Sequence, residues 1–336
     1  MDFFGDPTVW LPFTFAALMG VAILVYVVLD GFDLGIGVLF PFVGDDEKDQ
    51  MISVIGPFWD ANETWLVLAI GLLLVAFPTA HGYILTALYL PVAIMLAGLI
   101  LRGVAFELRA KAPKGQKEQW NRSFYVGSLL TSLSQGFMLG MYIVGLDYTL
   151  NHVAFACLTA VCLTAGYAFI GATWLIYKTE HDLQRRAVRF AKFGLLGVIV
   201  GFAAISLASP LVSPRIFAKW FTMPEIFYLA PLPILSGALV VLIGITLRQM
   251  PHPADRLSWL PFAAASSLFC LAFAGLAYSF YPYVVPDKIS IYEAASAPES
   301  LFIILLGAMV VMPAIAAYTV LSYVVFRGKA RALTYD

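Results

Sequence analysis

Nine apolar segments, each long enough to cross a lipid bilayer as a helix, follow one another along this 336-residue chain. A hydrocarbon core of about 30 Å needs about 20 helical residues, and a helix satisfies its own backbone hydrogen bonds in lipid. The sequence therefore predicts an all-α, polytopic membrane protein with nine transmembrane helices. Their approximate spans are Pro12–Val43, Val54–Pro78, Tyr83–Arg109, Asn121–Asp147, His152–Lys178, Val188–Pro210, Glu225–Leu247, Ser258–Pro282 and Pro298–Phe326.

The basic residues alternate between the two sides of the predicted membrane. If the amino terminus lies outside, 17 of the 20 Lys and Arg fall on the inner side, and only Arg215, Lys219 and Lys288 fall on the outer side. Cytoplasmic loops carry an excess of Lys and Arg. The asymmetry therefore predicts a periplasmic amino terminus and a cytoplasmic carboxyl terminus. Because the first basic residue is Lys48, we expect the first segment to remain as a span and not to act as a cleaved signal.

The first two segments contain acidic residues at membrane depth. Asp30 and Asp33 lie in LDGFDLGIG, and Asp60 and Glu63 lie in FWDANETWLV. A carboxylate at the bilayer centre costs about 2.5 to 3.5 kcal/mol on insertion scales, so it is normally sheltered by protein and functional. The spacing of three within each pair puts both acids on one face of a helix. The glycines of the first motif indicate close helix contact or a bend.

The third segment adds Arg102 and Glu107 near its inner end. We expect these six charges, from three consecutive helices, to gather at one depth in the cytoplasmic half of the membrane. Arg102 would be the charge partner of the acids, but one arginine cannot balance so many carboxylates, so at least one should hold a proton or a cation. This favours a proton path or cation site, and a purely structural ion-pair network stays open as an alternative.

Other kinds of site find little support in the sequence. Haem iron in a helical membrane protein usually takes axial His or Met from within the bundle. The four histidines fall in predicted loops, so we expect this chain to bind no haem and no metal ion: His81, His152, His181 and His252. The sequence contains no HExxH motif, and no Ser/His/Asp or Cys/His arrangement stands out that would indicate hydrolytic chemistry.

The sequence supports neither a disulfide or metal site at its cysteines nor binding of a nucleic acid. The three cysteines show no CxxC spacing and lie in apolar runs, so we expect them to be packing residues: Cys157, Cys162 and Cys270. The net charge is −1, and no basic block with interleaved aromatic residues occurs. A nucleic-acid partner is therefore not expected.

Four motifs, in order along essentially the whole chain, carry a resemblance to a known family. They are DGFDLGIG at 30–37, WDANETWLV at 59–67, RGVAFELR at 102–109 and YPYVVP at 281–286. The chain resembles subunit II of cytochrome bd-type ubiquinol oxidases, in particular the shorter chains of the cyanide-insensitive branch. The resemblance implies two four-helix bundles plus a peripheral helix. Residues 1–150 would form the first bundle with the carboxylates, 151–290 the second, and 291–336 the final helix and cytoplasmic tail.

The resemblance also implies a role in an electrogenic enzyme complex of the bacterial inner membrane. Subunit II would be the haem-free partner that stabilises a haem-bearing subunit I in a heterodimer and supplies a cytoplasmic proton path for reduction of oxygen to water. Two b haems, one d haem and the ubiquinol site would belong to subunit I. A bound quinone or lipid in this chain, and small single-helix subunits, are further expectations.

The resemblance gives individual residues their expected roles, and none is expected to be directly catalytic. Asp60 and Glu107 match positions of a cytoplasmic proton-uptake path, and Asp30 and Asp33 lie in the signature motif. Trp65 matches a tryptophan near an oxygen route. This sequence departs from the family by carrying Glu63 and Thr64 in place of the Gln and Val types of WDGNQVW, and Glu107 in place of a common Asp. Both changes keep or add an acid, which favours the proton path more than the oxygen route.

Two alternatives to an oxidase subunit remain. The intramembrane acids could serve a proton-coupled secondary transporter, or they could only hold helices together in a structural subunit. Transporters tend to repeat ion-binding helices in both halves of the chain. Here the intramembrane acids occur only in the first half, which counts against a transporter.

Overall fold

The computed structural model describes residues 5–252 and 255–330. The fold is helical, with one small antiparallel sheet of β1 (Tyr283–Val285) and β2 (Ile289–Ser290). Short 3-10 turns occur at Phe40–Phe42 and Lys114–Gln116. The helices are α1 (Pro7–Leu39), α2 (Asp45–Ile55), α3 (Trp59–Ala76), α4 (Pro78–Ala87), α5 (Tyr89–Lys111), α6 (Lys117–Ile143), α7 (Leu150–Lys178), α8 (His181–Val212), α9 (Pro214–Phe221), α10 (Glu225–Leu229), α11 (Pro231–Arg248), α12 (Leu260–Phe280), α13 (Ile291–Ala294) and α14 (Pro298–Val325).

Within the described ranges, eight helical segments are long and apolar enough to cross a membrane. They are α1, α3, α5, α7, α8, the α10–α11 pair, α12 and α14. The 27-residue helix α6 is not among them. Its first turns are charged, and it buries hydroxyl side chains that bond to carbonyls of the same helix, such as Ser128 to Phe124 and Ser132 to Ser128. The structure thus confirms a multi-pass helical protein, and the count of nine spans stays a prediction that depends on α6.

The second and third predicted spans differ from the helices of the structure. The second does not start at Val54, because α2 ends at Ile55 and α3 begins only at Trp59; Pro57 has no N–H with which to continue α2. The third is interrupted at Leu88, between α4 and α5. The ring of Pro91 would clash with the Ala87 carbonyl in a continuous helix. That carbonyl instead accepts a hydrogen bond from the Tyr148 hydroxyl at 2.8 Å.

Glycines let α1 lie directly against α7. A Cβ on Gly35 would stand 1.7 Å from the carbonyl oxygen of Tyr167, and a Cβ on Gly171 would stand 2.7 Å from the backbone nitrogen of Ile36. Real Cβ atoms do not approach other atoms so closely, so the two backbones meet only because both positions lack a side chain. The close helix contact predicted from the glycine-rich motif is confirmed.

The C-terminal tail is tied to the end of α7 and to the loop between α11 and α12. Lys329 Nζ lies 2.5 Å from Asp255 Oδ2 and donates to the carbonyl of Thr179 at 2.9 Å. The Ala330 N–H donates to the carbonyl of Lys178 at 2.8 Å. Burial would raise the pKa of Asp255, but hydrogen bonds from Lys329 and Gln184 outweigh it and hold the pKa below its usual value.

Substitution of Gly35 should be far more damaging than substitution of a glycine with open space. Gly35→Ala forces α1 and α7 apart, and we expect a loss of at least about 3 kcal/mol, the upper end of ordinary overpacking. Gly237→Ala on α11 is the matched control, since its Cβ would meet nothing within 4 Å. Thermal unfolding of the detergent-purified protein measures both, and equal unfolding temperatures for the two variants would contradict the close contact.

The ion pair between Asp255 and Lys329 should be insensitive to mild acid. Because folding lowers the pKa of Asp255, the pair is fully present above about pH 3.9, the ordinary pKa of Asp. It is lost only as the pH falls through the lower pKa of the folded protein. At pH 7, Asp255→Asn should speed hydrogen exchange of the Ala330 amide, whereas wild type should keep its protection down to about pH 4. Loss of wild-type protection already at pH 6 would show that another group holds the tail.

Candidate functional site

A buried arginine on α5, Arg102, lies at the centre of the intramembrane charges. Its side chain is only 2% exposed. Nη1 donates to Asp30 Oδ1 at 2.8 Å and to Glu63 Oε1 at 2.9 Å. Nη2 lies 3.9 Å from Asp33 Oδ2. The structure therefore brings together three of the predicted acids and their predicted charge partner.

The helices place these side chains through local packing. Asp30 and Asp33 lie three residues apart on the buried face of α1, as their spacing predicts. Arg102 lies where α5 packs tightly on α6, since a Cβ on Gly127 would stand 2.7 Å from the Arg102 backbone nitrogen. Glu63 reaches the guanidinium from α3 and stays 28% exposed, whereas both aspartates are fully buried. Glu63 is thus the member of the cluster closest to the surface of the chain.

Asn62, which the sequence analysis did not single out, forms a hydrogen bond with Asp33. Asn62 Nδ2 donates to Asp33 Oδ2 at 2.8 Å and to the Leu29 carbonyl at 3.3 Å. Tyr323, on α14, donates from its hydroxyl to Asn62 Oδ1 at 3.1 Å. Asn62 is a polar residue between two acids of an apolar segment, and this signal could have identified it. Tyr323 carried no such signal, because aromatic residues are common near the ends of membrane helices.

A second polar chain runs from α1 to α6 and α7. Gln135 Nε2 donates to the Tyr26 hydroxyl at 2.6 Å, and the Tyr167 hydroxyl donates to Gln135 Oε1 at 2.8 Å. Tyr26 precedes Asp30 by one turn of α1, and the ring of Tyr167 lies against Gly31. These neutral groups extend the polar interior of the protein beyond the ion pairs.

The cluster has more acidic sites than positive charge. Three carboxyl groups share one guanidinium, and Asp30 Oδ2, Asp33 Oδ1 and Arg102 Nη2 make no hydrogen bond with the described residues. Buried polar atoms are normally hydrogen-bonded. An oxygen of this kind is where a protonated carboxyl would hold its proton. An excess of carboxyl groups over positive charge favours the neutral form of at least one of them.

Asp60 and Glu107 do not pair with Arg102, so the structure does not bring these two predicted acids into the cluster. Both are exposed on the surface of the chain. Glu107 follows Arg102 by five residues, which turns it about 140° around α5 and away from the cluster. Asp60 precedes Glu63 by three residues and lies on the same side of α3, nearer to the surface.

A narrow crevice leads to Arg102. Trp59 and Phe106, which precede Asp60 and Glu107 in the sequence, line it with ring centroids 5.3 Å apart. The crevice is too narrow to hold a water molecule. Two aromatic side chains thus cover the buried guanidinium on this side.

Trp65 lies in the packed interior between α1, α3 and α14. Its side chain packs with Ala22 and Tyr26 of α1, and its Nε1 donates to Thr319 Oγ1 of α14 at 3.1 Å. The indole therefore links α14 to α1 and α3. Its role in an oxygen route stays a prediction.

The histidines and cysteines lie apart from the cluster. Among the described residues, no group of three or more His, Cys, Asp or Glu is placed to hold a metal ion. His81, His152 and His181 lie within helices near their ends and not in the predicted loops. Cys157 and Cys270 are exposed on the chain and Cys162 is partly exposed, so their role as packing residues stays a prediction.

The amino-acid sequence is similar to that of known proteins over nearly its whole length. The model of the family described as cytochrome bd terminal oxidase subunit II matches residues 11–326. Cytochrome bd-I ubiquinol oxidase subunit 2 of Escherichia coli K12 is 26% identical over 362 aligned positions, which cover 93% of each chain. Cytochrome bd ubiquinol oxidase subunit 2 of Bacillus subtilis 168 is 28% identical, with 93% of this chain and 94% of the relative covered.

A solved structure shares the fold. The bd oxidase of Geobacillus thermodenitrificans contains a chain that aligns with a TM-score of 0.72, covering 95% of this chain and 99% of that one. The two are 16% identical in sequence. The likeness therefore establishes a common arrangement of helices.

Removing the central guanidinium should destabilise the protein strongly. Arg102→Met leaves two buried carboxyl groups, those of Asp30 and Asp33, without a charge partner, and breaking a buried pair in this way costs about 3 to 5 kcal/mol. Arg102→Lys keeps the charge without the forked geometry and should lose less. Arg122→Met removes an exposed arginine of α6 and serves as the control. Yield and thermal unfolding in mild detergent measure the effect, and a Met variant as stable as the control would refute the central role of Arg102.

Proposed function

Because the chain belongs to the family of cytochrome bd terminal oxidase subunit II, we propose that it conducts protons from the cytoplasm towards a redox centre held by its partner. Membership makes it a subunit of a quinol oxidase, an oxidoreductase complex of the respiratory chain. The partner in this proposal is a homologous subunit I that binds two b haems and one d haem and reduces oxygen to water with electrons from ubiquinol. This chain would bind no haem and would stabilise subunit I.

The observation that supports this proposal is the imbalance of charge around Arg102. Stability alone needs only enough acid to neutralise one guanidinium, yet three carboxyl groups surround it. Ionising all of them together in a low-dielectric interior is costly. Such a cluster favours at least one exchangeable proton, and intramembrane carboxyl groups of this kind form proton relays in pumps and transporters.

The proposed path begins at the exposed acids and continues inward through Glu63. Asp60 and Glu107 are exposed on the chain, and the residues just before them, Trp59 and Phe106, line the crevice to Arg102. Glu63 is partly exposed and shares the Nη1 atom of Arg102 with buried Asp30. A proton received at Glu63 would therefore pass to the neighbouring Asp30 carboxyl group, while the guanidinium keeps its own protons. Because the crevice is too narrow for water, Trp59 and Phe106 would have to move apart for water to enter.

The finer architecture belongs to the same proposal. We take α6 as a ninth span, since it lies antiparallel between α5 and α7, with Gly136 and Gly140 against Ala160 and Ala156. An odd number of spans would put the two termini on opposite sides, and the excess of Lys and Arg in alternate loops would put the amino terminus in the periplasm. The two four-helix bundles with a peripheral helix, the boundaries at 150 and 290, and an oxygen route beside Trp65 complete this proposal.

The transporter alternative has less support from the positions of the buried charges. Among the described residues, the charged side chains buried in the chain are Asp30, Asp33, Arg102, Arg109 and Lys178. All lie on α1, α5 and α7, and α8, α11, α12 and α14 contribute none. A transporter with repeated ion-binding helices would distribute them over both halves.

Neutral substitutions along the path should slow turnover and leave assembly intact. Glu63→Gln keeps an oxygen that can accept from Arg102 but cannot carry a proton at neutral pH. We expect oxygen consumption of the complex to fall at least about tenfold, because a positioned proton donor or acceptor contributes about 100-fold or more. Asp60→Asn should slow it as well. Oxygen uptake with ubiquinol is measured at matched haem content from the visible spectrum.

Glu118→Gln provides the control for the path. Glu118 is an exposed acid at the start of α6 that pairs with Arg122 at 3.0 Å, so its loss should leave turnover unchanged. If Glu63→Gln consumed oxygen at the wild-type rate, the proton role would be rejected. If it reduced the amount of complex instead, the acids would be structural.

A further inference from the structure

A stripe of basic and then apolar side chains runs along the exposed face of α8. Arg185, Arg189 and Lys192 are exposed and are spaced by four and three residues, which puts them on one face of the helix. The same face continues with Leu196, 61% exposed, and Ile199, 42% exposed. The helix thus presents positive charge at its first turns and hydrocarbon immediately beyond them.

The basic residues line an open groove of about 460 Å³ between α8 and the end of α11. Met250 and Pro251 form its opposite wall. The groove is therefore charged on the side of α8 and apolar on the other. Its size suits a small headgroup better than a folded partner.

Two of the positive charges in the groove are already balanced. Arg185 Nη2 lies 2.5 Å from Asp182 Oδ1, and Arg186 Nε lies 3.1 Å from Glu47 Oε1. Arg189 and Lys192 have no acidic partner within 4 Å among the residues that the structure describes. The groove consequently holds two positive charges that are available to an anion.

We propose that this groove binds the headgroup of an anionic phospholipid. The phosphate would lie against Arg189 and Lys192, and the acyl chains would follow Leu196 and Ile199 along α8. Phosphate is an oxyanion that Arg and Lys bind through charge-assisted hydrogen bonds, and basic pockets between membrane helices bind acidic lipid headgroups. The same face continues with apolar side chains. This favours a lipid over a soluble anion, because a free phosphate has no acyl chain to pack against them. The site goes beyond the proton path and does not depend on it.

The test removes the two unpaired charges from the intact complex. Complex purified in mild detergent and stripped of lipid is titrated with phosphatidylglycerol, and native mass spectrometry measures how many lipids it retains. Arg189→Gln with Lys192→Gln should weaken retention about 30-fold, which corresponds to about 2 kcal/mol for two basic residues. Arg189→Lys with wild-type Lys192 should retain the lipid nearly as well as wild type.

Controls separate a specific site from general attraction to a basic surface. Lys111→Gln with Arg122→Gln removes two exposed charges from the same side of the molecule and should leave retention unchanged. Phosphatidylcholine should bind wild type and the double variant equally, and inorganic phosphate should not displace the bound phosphatidylglycerol at equal concentration. Equal losses in both double variants would overturn the proposal. If the double variant of Arg189 and Lys192 retained lipid as wild type does but lost the partner subunit, the proposal would also be overturned. The groove would then be an interface between the two subunits.

Discussion

A guanidinium buried among apolar helices needs acidic partners, and the arrangement of α1, α3 and α5 supplies two buried carboxyl groups and a third that is partly exposed. Arg102 cannot reach Asp30 and Glu63 at hydrogen-bond distance unless these three helices lie side by side. The glycine contacts of α1 with α7 and of α5 with α6 bring the remaining helices around them. Charge pairing and close backbone packing therefore act together to assemble this half of the protein.

Buried ion pairs are weak evidence for stability, because the cost of removing charges from water often exceeds their mutual attraction. Apolar side chains could hold the same helices together without this cost. The cluster keeps an excess of acid and a partly exposed member, Glu63, and both features are what a proton carrier needs. Asn62, itself bonded by Tyr323, donates a neutral hydrogen bond to Asp33, so in the proposed path Asp33 would stay in place when its protonation changes.

The sequence was sufficient to identify the charged members of the site. An acid or arginine within an apolar segment is rare, because its insertion into the membrane costs free energy. It could not identify Tyr26, Gln135 and Tyr323, since a neutral polar side chain becomes part of a network only through contacts between distant helices. Asp60 and Glu107 were placed in the cluster because they share its depth, but both are exposed on the surface of the chain. The break at Leu88 was not predicted, because the apolar run continues through it, although Pro91 is the residue that causes it. The family resemblance was confirmed over nearly the whole chain.

The most direct test of the central claim is the rate at which protons leave the cytoplasmic side during a single reaction of the reduced complex with oxygen. The complex is placed in liposomes and proton uptake is followed with a pH-sensitive dye, in wild type and in Asp33→Asn, which keeps an oxygen to accept the hydrogen bond from Asn62. The account predicts that the variant, at equal haem content, takes up protons at least about tenfold more slowly, since a positioned proton carrier contributes about that much or more. Proton uptake at the wild-type rate would contradict it and leave the buried acids with a structural role alone.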